Sequence, residues 1–318
     1  MFLPRILGLS LVLSAGVMLA GCGDDDAKSQ AAPAAAAAAK SSSAQAEITK
    51  YNSYVDAANS ITSSFGEMLG KYEQYALPEL KSGEPLKSFA VQTDGHVDRV
   101  KARLDKALEQ DVAIAELDGP AKAFSEALGT LAPLSRELAN YASSRAYMAD
   151  NGALAREKSP AYVAALTEAA KTEAAFFRGM SEKDLANVKA TFTAAEKDTF
   201  NYYRAGLVYY GKASLAEADG IFEGTGLGER QAAFKQALDS MNEMALGYDK
   251  TGPKSDLSGC SSHINGYLAA GRTVLEHSAD GTYGKPKGFA LTSTMDSDGS
   301  RLRQNFSNMI TTFNQRRC

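Results

Sequence analysis

The chain contains no tryptophan and only three histidines and three cysteines in 318 residues. Each shortage removes a class of chemistry. His96, His263 and His277 stand in no HxH or HExxH arrangement. A helical metallopeptidase or a zinc enzyme therefore has no ready ligand set, and no metal or cofactor is expected. Three cysteines cannot form the four-thiolate frame of a structural zinc site. No GxSxG elbow and no cysteine nucleophile arrangement is present, which leaves the main hydrolase signatures empty. Basic residues are also outnumbered, 34 Lys and Arg against 38 Asp and Glu, for a formal net charge of −4. Nucleic-acid binding asks for a basic surface, so none is expected. An enzyme is not the leading reading.

What is present begins at the N-terminus. Arg5 precedes an uncharged apolar run over 6–20, too short for a membrane-spanning stop-transfer helix and of signal-peptide length. The run ends in Leu19-Ala20-Gly21-Cys22, which resembles a bacterial lipoprotein cleavage box. That resemblance implies a signal peptide over 1–21 and a mature chain starting at Cys22. There the thiol takes a diacylglyceryl group and the new amine a further acyl chain, palmitate being typical. Two or three chains, at about 0.8 kcal/mol per buried CH2, anchor a protein durably. The expected membrane contact is acylated Cys22. By resemblance to enterobacterial sorting rules, Gly23 in place of Asp after the cysteine favours the periplasmic face of the outer membrane over the inner membrane. Loss of Arg5 with the leader leaves 33 basic residues against 38 acidic, a net charge of −5.

Residues 23–46 are mostly Asp, Ala, Ser, Lys and Gln. They have little to bury and read, with Cys22, as a lipidated and flexible tether of about 25–30 Å. The alanines over 34–39 add a transient helical tendency. The body, 47–318, carries apolar residues at intervals of three and four nearly throughout and shows no alternating strand pattern. The expected fold is all-α, an elongated bundle of seven to nine helices in one domain or two packed halves. One long first helix is expected from Ile48 to Ala76. Gly119-Pro120 is expected to separate two helices, with a kink at Pro133. Ser159-Pro160 reads as a helix start, and Ser181-Glu182-Lys183-Asp184 as a capping box opening a central helix that reaches Gly220. Residues 281–299 read as irregular, closed by a last helix around Leu302 to Phe313.

Four short motifs occur in order along this body. They are Lys50-Tyr51-Asn52-x-Tyr54-Val55, Glu196-x-x-Thr199-Phe200-x-Tyr202-Tyr203, His263-Ile264-Asn265 with Tyr267-Leu268, and Asn305-Phe306-x-x-Met309-Ile310-x-x-Phe313-Asn314. Behind a lipobox and an Ala-rich tether, this series resembles the YiiG family of bacterial lipoproteins, a domain of unknown function. The resemblance implies a helical, periplasm-facing lipoprotein of the cell envelope and supplies no catalytic residues.

The candidate sites are few. Tyr202, Tyr203, Tyr209 and Tyr210 share one helix sector, where they either pack against neighbouring helices or line a groove for a peptide, glycan or lipid. Cys260 and Cys318 are the two thiols left in an exported body. Pairing in a disulfide is the simplest arrangement, and an intermolecular bond through Cys318 is the alternative. Gly224-x-Gly226-x-Gly228 reads as an interhelical turn rather than a phosphate loop. The Asp296-Ser297-Asp298-Gly299 run lacks the terminal Glu of a calcium loop and reads as a turn and N-cap. Three functions remain open. The first is a binding or scaffolding protein whose partner is a protein or envelope component. The others are an envelope hydrolase or metal-dependent enzyme with carboxylates on facing helices, and a carrier of a small apolar ligand.

Overall fold

The computed structural model describes residues 31–91, 95–224, 227–252, 257–284 and 293–315, with side chains described in the first helix from Ser42 and in the helix Leu257–Ala279 from Cys260. The expected signal peptide, Cys22 and Cys318 lie outside the described residues, as do residues 285–292 of the 281–299 stretch. The fold is all-α. Its segments are α1 Ala31–Asn59, α2 Phe65–Lys71, α3 Leu77–Ser82, α4 His96–Leu108, α5 Ala115–Ser143, α6 Ala153–Ala194, α7 Phe200–Phe222, α8 Leu227–Thr251, α9 Leu257–Ala279 and α10 Thr294–Asn314. A π-helical turn, Tyr72–Ala76, joins α2 and α3 into one rod, so the described residues hold nine helices. No described helix is long and apolar enough to cross a membrane. The chain divides into two compact units, Met1–Lys183 and Asp184–Cys318, and the division falls inside α6.

Ala31 to Ala46 belong to α1, in line with the helical tendency of the alanine run, but nothing from 42 to 49 is buried. Among the described side chains the first buried is Lys50, 3 % exposed, and its ammonium is fully employed. Lys50 Nζ donates to the carbonyls of Gln110 (3.1 Å) and Val112 (2.7 Å) and to Asp118 (3.0 Å). Tyr54 Oη donates to the same carboxylate at 2.7 Å, and the Ile114 N–H at 3.0 Å. A buried ammonium needs such partners to offset its desolvation. Burial raises the Asp118 pKa, but the hydrogen bonds from Tyr54, Lys50 and Ile114 outweigh it and hold the carboxyl below its usual range. Burial and then Asp118 push the Tyr54 hydroxyl upward.

The long first stripe is interrupted where the sequence suggested continuity. Ser60 to Ser64 leave the helix, and Ser64 caps α2, its Oγ accepting the Glu67 N–H at 3.1 Å. Ser and Thr compete with the backbone for hydrogen bonds, which is why this polar run breaks an otherwise periodic segment. Phe65 then turns inward. Its ring stacks on His96 (5.5 Å between centroids) and meets Phe124 edge-on at 5.6 Å. Phe176 extends this core to Phe124 and Tyr54.

Several expected boundaries move for identifiable reasons. The break before α5 lies at 109–114, and Gly119-Pro120 sits within its first two turns. Pro133 also lies inside α5, which continues to Ser143. Helix α6 begins at 153, after a turn in which Asn151 and Gly152 take left-handed φ values of 54° and 81°. Asp150 secures that turn by accepting the N–H groups of Gly152 (2.9 Å) and Leu154 (3.2 Å). Ser159-Pro160 therefore lies inside α6, and the Ser159 hydroxyl is buried against Tyr72 Oη at 3.2 Å. The run Ser181 to Asp184 starts no helix, because α6 passes through it to Ala194.

Proline without an N–H leaves the Glu116 carbonyl of α5 without its helical donor. Gly179 of α6 comes against that carbonyl so closely that an added Cβ would stand 2.5 Å from the oxygen. Backbone cannot yield as a side chain tip can. Gly179→Ala should therefore destabilise unit 1 by about 1–3 kcal/mol in urea unfolding, despite alanine's better helix propensity. An unchanged or raised midpoint would contradict this packing.

Candidate functional site

The tyrosine sector lies on α7 in unit 2. Thr199 caps this helix, its Oγ1 accepting the Tyr202 N–H at 3.2 Å, after a break in which Asp198 adopts a φ of 62°. That break, at 195–199, divides the single central helix expected from the sequence. It also folds the end of α6 back toward α7, and Phe192 supplies the ring the tyrosines surround. Tyr202 lies 4.9 Å from Phe192 between centroids, Tyr209 stacks on it at 5.7 Å, and Tyr210 meets it at 5.5 Å. All three are half-buried. Burial raises the Tyr210 hydroxyl pKa, with Tyr209 adding to the effect.

Tyr203 meets Tyr202 edge-on at 5.3 Å but faces α8. Its ring covers Gly247 of α8, where a Cβ would collide with the ring carbons, and its hydroxyl donates to Asp198 at 2.8 Å. Three rings of the sector thus contact Phe192, and the fourth reaches from Tyr202 to α8. Phe192 was missed because a helix wheel drawn through one element cannot include a ring from the preceding one. Beside it, Ala186, Lys189, Ala190, Thr193 and Ala194 line a shallow, open depression along α6. The rings give an apolar face with polar rims, able to pack and able to meet a flat partner.

The chain belongs to DUF3829, a family of proteins of unknown function. The family model matches residues 45–315, which spans most of unit 1 and nearly all of unit 2. No curated protein and no solved structure gives a significant match. DUF3829 membership therefore fixes the relationship of the body and names no chemistry for it.

A second polar group occurs in unit 2. His277 of α9 donates through Nδ1 to Asp298 Oδ2 at 2.6 Å, and Tyr283 Oη donates to the same oxygen at 3.0 Å. Asp298 is buried inside α10, which starts at Thr294 rather than near residue 302. The Asp296-Ser297-Asp298-Gly299 run is therefore helical; the turn and cap lie at Ser293, whose Oγ accepts the Asp296 N–H at 3.0 Å. Burial and the Asp298 hydrogen bond raise the Tyr283 hydroxyl pKa. His96 in unit 1 is wholly engaged: Nε2 donates to the Ser63 carbonyl at 3.1 Å and Nδ1 accepts from Arg99 at 3.1 Å. Burial, then Arg99, lowers its pKa. His263 lies partly exposed on α9. Among the described residues, no group of three or more His, Cys, Asp or Glu is placed to hold a metal ion.

The ring cluster makes a measurable claim about the tyrosines. Tyr202→Ala and Tyr209→Ala should each destabilise unit 2 by about 1–3 kcal/mol, as expected for half-buried packing rings. Losses within about 0.5 kcal/mol for both would place the rings in an open groove instead.

Proposed function

We propose that the chain is a periplasm-facing lipoprotein of the cell envelope, of the YiiG type within its family, held to a membrane by acylated Cys22 and acting by binding or scaffolding. The observation that carries the reading is Leu19-Ala20-Gly21-Cys22 at the end of an uncharged run behind Arg5. The absence of burial over residues 42–49 supports it, since that part of the polar stretch adds nothing to the core. The outer membrane is favoured by Gly23. Within the body, the half-buried rings around Phe192 are the surface proposed to meet a protein or envelope-component partner. A hydrolase is the competing reading, and the His277–Asp298 pair favours it, because a carboxylate-oriented imidazole is the usual form of a general base.

The test of the anchor is Cys22→Ser expressed in a bacterial host with labelled palmitate. The wild-type chain should take up label and sediment with membranes. The variant should take up none and accumulate as precursor, and equal labelling of the two would refute the proposal.

A disulfide between Cys260 and Cys318 belongs to the same proposal, since an exported body is oxidised. Cys260 is 1 % exposed near the start of α9. A bond from there to the chain end would close a loop of just under sixty residues and add about 4 kcal/mol. Alkylation without reductant should leave both thiols unmodified and the chain monomeric on electrophoresis. Two alkylated thiols would remove the bond, and a dimer band would reassign it between chains.

A further inference from the structure

Glu173 of α6 is completely buried in unit 1, at 0 % exposure. Its Oε2 accepts the Phe65 N–H at 2.8 Å, and the carboxyl also accepts the Gly66 N–H. Its other oxygen, Oε1, is buried without a hydrogen-bond partner. The groups around this carboxyl offer no compensating charge. From α2 the ionisable neighbour is Glu67, of the same sign. From α4 it is His96, stacked on Phe65 and held toward its neutral form by burial and by Arg99, which is itself turned to His96 Nδ1. From α1 and α5 the core presents Phe124 and Tyr54, the latter's hydroxyl committed to Asp118. On α6, Lys171 is exposed and paired with Glu168. An uncompensated carboxylate in such a place is costly, whereas a protonated acid is tolerated.

We propose that Glu173 is a proton-operated latch: the protonated acid holds the entry of α2 inside the core against α6, and loss of the proton weakens that junction ahead of the rest of unit 1. Burial pushes the Glu173 carboxyl up from 4.5 to about 7, the Phe65 and Gly66 amides offset part of this, and Glu67 adds to it. The folded state then binds a proton that the opened state releases. The latch is strongest below the ordinary carboxyl value and weakens as pH rises to about 7; above that both states are ionised and the dependence levels off. The inference concerns the stability of unit 1 and stands apart from the membrane anchor.

Amide hydrogen exchange on the full chain in detergent tests it, with rates corrected for intrinsic pH dependence. The peptide carrying Phe65 and Gly66 should open about tenfold more readily per pH unit from about pH 5 to about pH 7, then level off. The peptide carrying Phe124 should change less, and Glu173→Gln should abolish the slope. The same slope in wild type and variant, or none in wild type, would overturn the latch. Should Glu173→Gln fail to fold, infrared titration of the wild-type chain decides. A protonated buried carboxyl band lost with a midpoint near 7 supports the proposal, and no such band at about pH 6 overturns it.

Discussion

Phe65 is where unit 1 is joined. Its ring stacks on His96 of α4 and meets Phe124 of α5, while its backbone N–H ends on Glu173 of α6. Phe176 carries the same contact on to Tyr54 of α1. One residue at the start of a short helix thus brings side chains from every long helix of the unit together. Helices satisfy their own backbones, so they attract one another only through such side-chain stripes. The polar link through Lys50, Tyr54 and Asp118 fixes the orientation of α1 on the α4–α5 connection, a role that apolar packing fills less specifically.

Unit 2 solves the same problem with rings and small residues. Helix α7 brings Gly211 against Phe306 of α10 and Ser214 against Tyr267 of α9, whose hydroxyl lies 2.6 Å from Ser214 Oγ and donates to the Gly211 carbonyl at 3.0 Å. Tyr203 fills the space over Gly247 of α8. The central place of α7 follows from an apolar sector wide enough to serve several neighbours.

The all-α class and that central helix were legible in the sequence because both depend on periodicity alone. Boundaries were not, and the errors share a cause. Gly119-Pro120, Ser159-Pro160 and Ser181-Glu182-Lys183-Asp184 carry local signals for ends or starts, yet each lies inside a helix. Tertiary packing overrode local preference there, as it did not at Ser60 to Ser64, after which the buried Glu173 carboxyl accepts the Phe65 N–H at the start of the next helix. Glu173 itself left no trace, since one Glu in an amphipathic helix looks like a solvated residue until its neighbours are known. The tyrosines were found from their spacing, but the ring that organises three of them, Phe192, required the chain reversal at 195–199.

Membership of DUF3829 attaches this architecture to a family without assigning it a reaction, so the account rests on where the body is held. On the proposal made above, Cys22 tethers the helical body to a membrane through a polar stretch whose residues 42–49 are not buried. Mass spectrometry of the N-terminal peptide, from chain purified out of native membranes, tests that description most directly. The account predicts a peptide beginning at Cys22 and carrying a diacylglyceryl group with a further acyl chain. A peptide beginning elsewhere, or an unmodified Cys22, would contradict it.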